Sequence, residues 1–89
     1  MDIATRDRVI ANIRHVLART QSGLPAANVK DAQELLEHGE WGEAFDLVCT
    51  QLYEFDVGIS EDLYKVVEQT ALAMGLDAAQ WSYIKELVS

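Results

Sequence analysis

Apolar residues recur at helical spacing along the whole chain, and no run alternates with period two. Ile10, Ile13 and Leu17, flanked by Val9 and Val16, form one stripe, with Arg8, Asn12, His15 and Arg19 opposite. This pattern predicts a first helix from about Ile3 to Thr20. Gln21-Ser22-Gly23-Leu24-Pro25 then breaks the chain, with Gly23 suited to a helix end and Pro25 to a helix's first turn. A second helix carries Val29, Ala32, Leu35 and Leu36, and Gly39 is placed to end it in a left-handed conformation.

The third predicted helix runs from about Glu40 to Phe55. Trp41, Phe45, Val48, Leu52 and Phe55, four, three, four and three apart, make its core seam. Ser60 is the expected N-cap of a fourth, with Glu61 and Asp62 in the first turn and Ile59 stapled onto Tyr64. That helix packs through Leu63, Val66, Val67, Thr70 and Met74 and ends at Gly75. Asp77 and Gln80 form a capping box for a fifth, whose apolar face is Trp81, Ile84, Leu87 and Val88. The expected fold is all-α, a small antiparallel bundle of four to five helices in one domain, residues 1–89. The phrase Gly39-Glu40-Trp41-Gly42-Glu43-Ala44-Phe45 is similar to a tetratricopeptide turn but occurs once, which argues against a repeat array.

Charge changes this picture most. Residues 1–30 carry five cations against two acids, and residues 31–89 carry two against thirteen. Ten of those acids lie between Asp31 and Asp62, where there is no Lys or Arg. Asp31, Glu34, Glu37, Glu40, Glu43 and Asp46 recur at every third position, so helical neighbours are like-charged. Two readings fit this run: a solvated acidic face, or a surface built to meet a cationic partner. The net charge of -8 argues against nucleic acid and against an anionic membrane surface as direct partners. No apolar run approaches the ~20 residues of a membrane span, and the N-terminus lacks a signal-peptide core. The single cysteine cannot form an internal disulfide, which fits a reducing compartment, so a cytoplasmic location is expected.

Candidate chemistry is sparse. Glu34 and His38 stand four apart and could pair, either as an acid and base or as a charge pair closing a helix. His15 has no evident partner. Two histidines and one cysteine do not make a zinc site, and Glu54-Phe55-Asp56-Val57-Gly58 lacks the alternating oxygen ligands of a calcium loop. Cys49 falls inside a helix with no cation to activate it and reads as a small buried hydrophobe. There is no phosphate-binding glycine loop and no GxSxG elbow. Acyl carrier proteins share the size and acidity, but the nearest helix-opening serine stands in Ile59-Ser60-Glu61-Asp62, not in their Asp-Ser-Leu motif. Neither an enzyme nor a carrier is expected, and no cofactor. Trp41 and Phe55 are assigned to the core seam, whereas Tyr53 is either a core edge or a contact residue.

The segment Glu34–Leu87 resembles the MafI family of immunity proteins. The resemblance rests on Leu35-Leu36-Glu37-His38-Gly39-Glu40-Trp41-Gly42-Glu43-Ala44-Phe45, on Leu52-Tyr53-Glu54-Phe55-Asp56-Val57-Gly58-Ile59-Ser60, and on Tyr64 and Gly75-Leu76-Asp77. Related proteins serve contact-dependent growth inhibition systems. The resemblance implies a bacterial antitoxin whose partner is the C-terminal domain of a cognate toxin, an EndoU-type ribonuclease with a basic RNA-binding cleft. It assigns no contact residues. Charge and position nominate Glu37, Glu40, Glu43, Asp46, Tyr53, Glu54, Asp56, Glu61 and Asp62 as partner-binding, with this protein a monomer in the complex. The alternative is a non-enzymatic helical adaptor that takes a basic peptide on the same face. The absence of a long apolar groove pattern weighs against it.

Overall fold

A computed structural model describes all residues, 1–89, as four α-helices closed by a C-terminal run of 3-10 structure. Helix α1 spans Ile3–Thr20, α2 Ala26–Glu37, α3 Trp41–Glu54 and α4 Glu61–Ala73. A 3-10 turn, Gln21–Gly23, links α1 to α2, and two 3-10 segments follow α4, Ala78–Gln80 and Ser82–Leu87. The only pairing of extended backbone is a parallel bridge between Ile59 and Val88. At about 1.5 Å per residue α1 spans roughly 27 Å, and it sets most of the 33 Å long dimension.

Helix α1 packs against α4 and α3, and α2 lies on the other flank of α3. One core joins them. From α1 come Val9, Ile13, Val16 and Leu17; from α2, Ala32 and Leu36; from α3, Ala44, Phe45, Val48, Cys49 and Leu52. Leu63, Val67 and Ala71 of α4 meet Trp81, Ile84 and Leu87 of the terminal run. Asn28 of α2 also donates from its amide to the Gln51 carboxamide oxygen of α3, which ties the two helices with a polar link.

The helix starts follow local chemistry. The Asp2 carboxylate accepts from the Thr5 N–H at 2.7 Å, so α1 has a cap that the apolar pattern alone did not reveal. Ser60 caps α4 as expected, its hydroxyl oxygen accepting from the Leu63 N–H at 3.1 Å. At the start of the terminal run the Asp77 N–H donates to the Gln80 side chain at 3.0 Å.

Three helix ends share one design. After α2, α3 and α4 the chain turns left-handed at Gly39 (φ 75°), Asp56 (φ 50°) and Gly75 (φ 70°). The next N–H then returns to the helix: Glu40 to Leu35 O at 2.8 Å, Val57 to Leu52 O at 3.0 Å, Leu76 to Ala71 O at 3.1 Å. This is the bond that satisfies otherwise orphaned carbonyls. Two of the ends use glycine, which adopts positive φ without steric cost. The third uses an aspartate.

Two expectations change. The fifth helix is 3-10 rather than α, and its buried residues explain why: Trp81, Ile84 and Leu87 recur at every third position, the period of a three-residue turn. The Ile59 N–H then donates to Leu87 O at 3.0 Å, and the Ser89 N–H to Ile59 O at 3.2 Å, which docks the chain end against the start of α4. Phe55, assigned to the core seam, is 46% exposed. Its angle on the helix is right, but it stands one residue past the end of α3, where the chain turns away at Asp56. Trp41, the first residue of α3 at the other end of the same seam, is half-buried.

Candidate functional site

The nominated residues fall into separate groups on the surface. Ala44, Phe45, Val48, Cys49 and Leu52 turn one side of α3 into the core. At 3.6 residues per turn, positions 43, 46, 50, 53 and 54 therefore share the opposite, solvent-facing side. Glu43, Asp46, Thr50, Tyr53 and Glu54 are all exposed there. Three carboxylates and a tyrosine thus make one continuous stripe. Glu40 stands just before α3 and Asp56 past its end in the left-handed turn, so both are exposed but neither belongs to the helical stripe.

Glu37 is displaced from it. Acids spaced by three residues retreat about 60° around a helix with each step, because three residues advance about 300°. Asp31, Glu34 and Glu37 therefore fan around the exposed side of α2 rather than lining up. Asp31 and Glu34 border a shallow depression with Leu35, His38 and Leu47, on the α3 side. Glu37 borders a different groove, with Arg14, Leu17 and Gln33, between α1 and α2. Glu61 lies elsewhere again, beside Tyr64, Lys65, Glu68, Lys85 and Val88, and Asp62 is next to it in the first turn of α4. The two lysines of the acidic part of the chain thus sit beside Glu61, not beside the α3 stripe.

No cation neutralises that stripe. The one ion pair in the structure is Arg6 with Asp7 at 3.4 Å, both on α1 and exposed. Beyond Lys30, no carboxylate has a cationic group within 4 Å.

Tertiary packing adds residues that the linear pattern did not nominate. The terminal run lies along α3, and a shallow, open cleft of about 440 Å³ lies between them, lined by Asp46, Thr50 and Tyr53 from α3 and Ala79, Gln80 and Tyr83 from the run. Tyr53 packs edge-on against Tyr83, ring centroids 5.2 Å apart and planes at 86°. Its hydroxyl donates to Glu86 at 3.4 Å. Tyr53 is therefore a surface residue, anchored on one side and 46% exposed. Thr50 was legible from its spacing with Glu43 and Asp46. Tyr83 was not, because only the path of the terminal run brings it to Tyr53.

The titratable groups inside the fold do not form a reactive set. Burial, with Asp46 nearby, pushes the Cys49 thiol up from 9.0 to about 12. A buried, protonated thiol is a poor nucleophile. The folded chain should resist alkylation by iodoacetamide at pH 8 and react only on unfolding; rapid labelling of the native protein would contradict this burial. The raised value also has a sign for stability. The folded state holds the proton more tightly than the unfolded chain, so the contribution is intact below pH 9.0 and is lost as pH climbs towards about 12. Tyr83 shifts in the same direction, to about 12, through burial and the neighbouring Cys49 and Asp46. Its hydroxyl is buried without a partner, as is the Trp81 indole N–H.

His38 donates from Nδ1 to the Glu34 backbone carbonyl at 2.7 Å. The ring therefore closes the end of α2 through that carbonyl, not through the Glu34 carboxylate. His15 is exposed on α1. No group of three or more His, Cys, Asp or Glu side chains converges as a metal-ligand set, and no helix is long and apolar enough to cross a membrane.

The architecture and its exposed acidic stripe define a small all-α domain with a polarised surface. No protein-family model, no curated protein and no solved structure matches the chain.

Proposed function

We propose that this protein is an immunity-type inhibitor that binds the basic ribonuclease domain of a cognate bacterial toxin and occludes its RNA-binding cleft. The observation that carries the reading is the α3 stripe: Glu43, Asp46 and Glu54 exposed together with no cation within 4 Å. Unpaired carboxylates at this spacing repel one another, so the stripe is poor design for stability alone. Facing a cleft that binds phosphates, the same stripe gains steering and complementarity. The resemblance of Glu34–Leu87 to the MafI family supports the same partner class. On this reading the protein acts by occupancy and performs no chemistry.

The test is co-production with the toxin ribonuclease domain that this reading assigns as its partner. The expected outcome is protected cells and a one-to-one complex on size-exclusion chromatography. Absence of a complex, or turnover of RNA by this protein alone, would remove the inhibitor reading. An adaptor for basic peptides would instead bind a short lysine- and arginine-rich peptide as tightly as the folded domain.

A further inference from the structure

We propose that the cleft between α3 and the terminal run is an anchor site for a single arginine side chain of the partner. The proposal rests on the reading of α3 as a docking face for a basic protein, and assigns the residue type that enters it.

The lining selects the occupant. Asp46, Thr50 and Tyr53 stand on one wall at i, i+4 and i+7, and Ala79, Gln80 and Tyr83 on the other. Asp46 is the only charged group among the six. The Thr50 hydroxyl spends its proton on Asp46 O (2.9 Å) and Leu47 O (3.1 Å), and Tyr53 spends its own on Glu86. Both oxygens are left with lone pairs, so that wall offers acceptors only. The Gln80 carboxamide oxygen already accepts from the Asp77 N–H at 3.0 Å, which leaves its NH2 group as the one side-chain donor of the opposite wall. Tyr83, its hydroxyl buried, contributes ring surface.

An occupant that satisfies Asp46 and the acceptors of the α3 wall must donate hydrogen bonds, carry positive charge and present a flat face to one tyrosine ring. A guanidinium does all three: it pairs with a carboxylate through two N–H groups and stacks on aromatic faces. An ammonium supplies charge alone and stays more strongly hydrated. Ala79 leaves the opening clear, because a larger residue there would fill it. Arginine and tyrosine are also the residues on which interface energy concentrates.

The experiment uses the full chain and a small probe, so it does not depend on the toxin. N-acetyl-arginine methylamide and its lysine counterpart are titrated into ¹⁵N-labelled protein, following amide shifts. Saturable shifts confined to Asp46, Thr50, Tyr53, Ala79, Gln80 and Tyr83 are expected, with arginine roughly fivefold or more tighter than lysine. Ala79→Leu, an exposed and charge-neutral change, should weaken arginine binding roughly tenfold by filling the cleft. Asp46→Asn should do so by a similar factor, and Glu43→Gln, outside the cleft, by less than about twofold. A leucine at 79 that leaves the arginine titration unchanged would overturn the site. So would equal shifts at every exposed carboxylate for both probes, although the acidic face would survive that result. Failure of the toxin complex with the arginine site intact would instead remove the inhibitor reading alone.

Discussion

Neutralising the stripe with Glu43→Gln, Asp46→Asn and Glu54→Gln together should weaken the toxin complex about threefold to 150-fold at low salt. Each exposed pair lost is worth about 0.2–1 kcal/mol, and three such losses add up to that range. The change should appear mainly in the association rate, because rim charges steer encounter more than they hold the complex. It should shrink as salt rises towards about 1 M, where the screening length falls to about 3 Å. Any carboxylate sealed against an arginine would behave differently, slowing dissociation in a way that salt does not erase. Asp46 is the candidate for that exception, because it lines the cleft.

The fold should not suffer from the triple change. Glu43 and Asp46 repel at i, i+3, and Glu54 sits at the C-terminal end of α3, where a negative charge opposes the helix dipole. Glu43 lies in the first turn, where a negative charge is favourable, so its loss costs a few tenths of a kcal/mol. The terms nearly cancel, and the melting temperature should stay level or rise slightly. A variant that bound less because it had unfolded would carry no information, so the melt is recorded beside the kinetics.

The second large effect is expected at Asp56. Its φ of 50° is the conformation that Gly39 and Gly75 adopt at the ends of α2 and α4. A left-handed non-glycine residue costs up to roughly 1–2 kcal/mol, and least for Asn and Asp. A carboxylate at a helix C-terminus costs a further ~0.3–1 kcal/mol. Glycine brings back about 0.5–1 kcal/mol of chain entropy, so Asp56→Gly should stabilise by about 1 kcal/mol. For a domain of this size that is roughly 4–8 °C in melting temperature. Asp56→Asn keeps a side chain that tolerates positive φ and removes the charge, so it should recover only the dipole part. Measuring both separates strain from charge. A glycine variant no more stable than the original would mean that the turn holds Asp56 without strain. Strained residues persist where function retains them, and the same glycine change should slow association with the toxin.

Much of this fold was legible in the pattern of residues. The apolar stripe of α1 and the Ser60 cap needed only local periodicity and capping chemistry, and the structure places both where that chemistry does. What local pattern could not supply was where the core stops. Phe55 has the right phase but stands beyond the last turn of α3, so it meets solvent. The spacing of Trp81, Ile84 and Leu87 fits a shallow α-face on inspection, yet its two strict steps of three are also the period of 3-10 winding. The candidate site divides in the same way. Its charge was visible as a run of acids, but the run crosses from α2 to α3 at Gly39, so Glu37 and Glu43 do not share a face. Tyr83, Ala79 and Gln80 reach Tyr53 only through tertiary packing.

On the inhibitor reading, the outward stripe of α3 is the surface that meets the partner. Carboxylate labelling with a carbodiimide and glycine ethyl ester, read residue by residue by mass spectrometry, tests it directly. In the presence of the basic ribonuclease domain, Glu43, Asp46 and Glu54 should lose most of their labelling. Glu61 and Glu68, beside Lys65 and Lys85, should keep theirs. Labelling of the stripe unchanged in the complex, or protection confined to Asp2 and Asp7 on the basic first helix, would contradict the account.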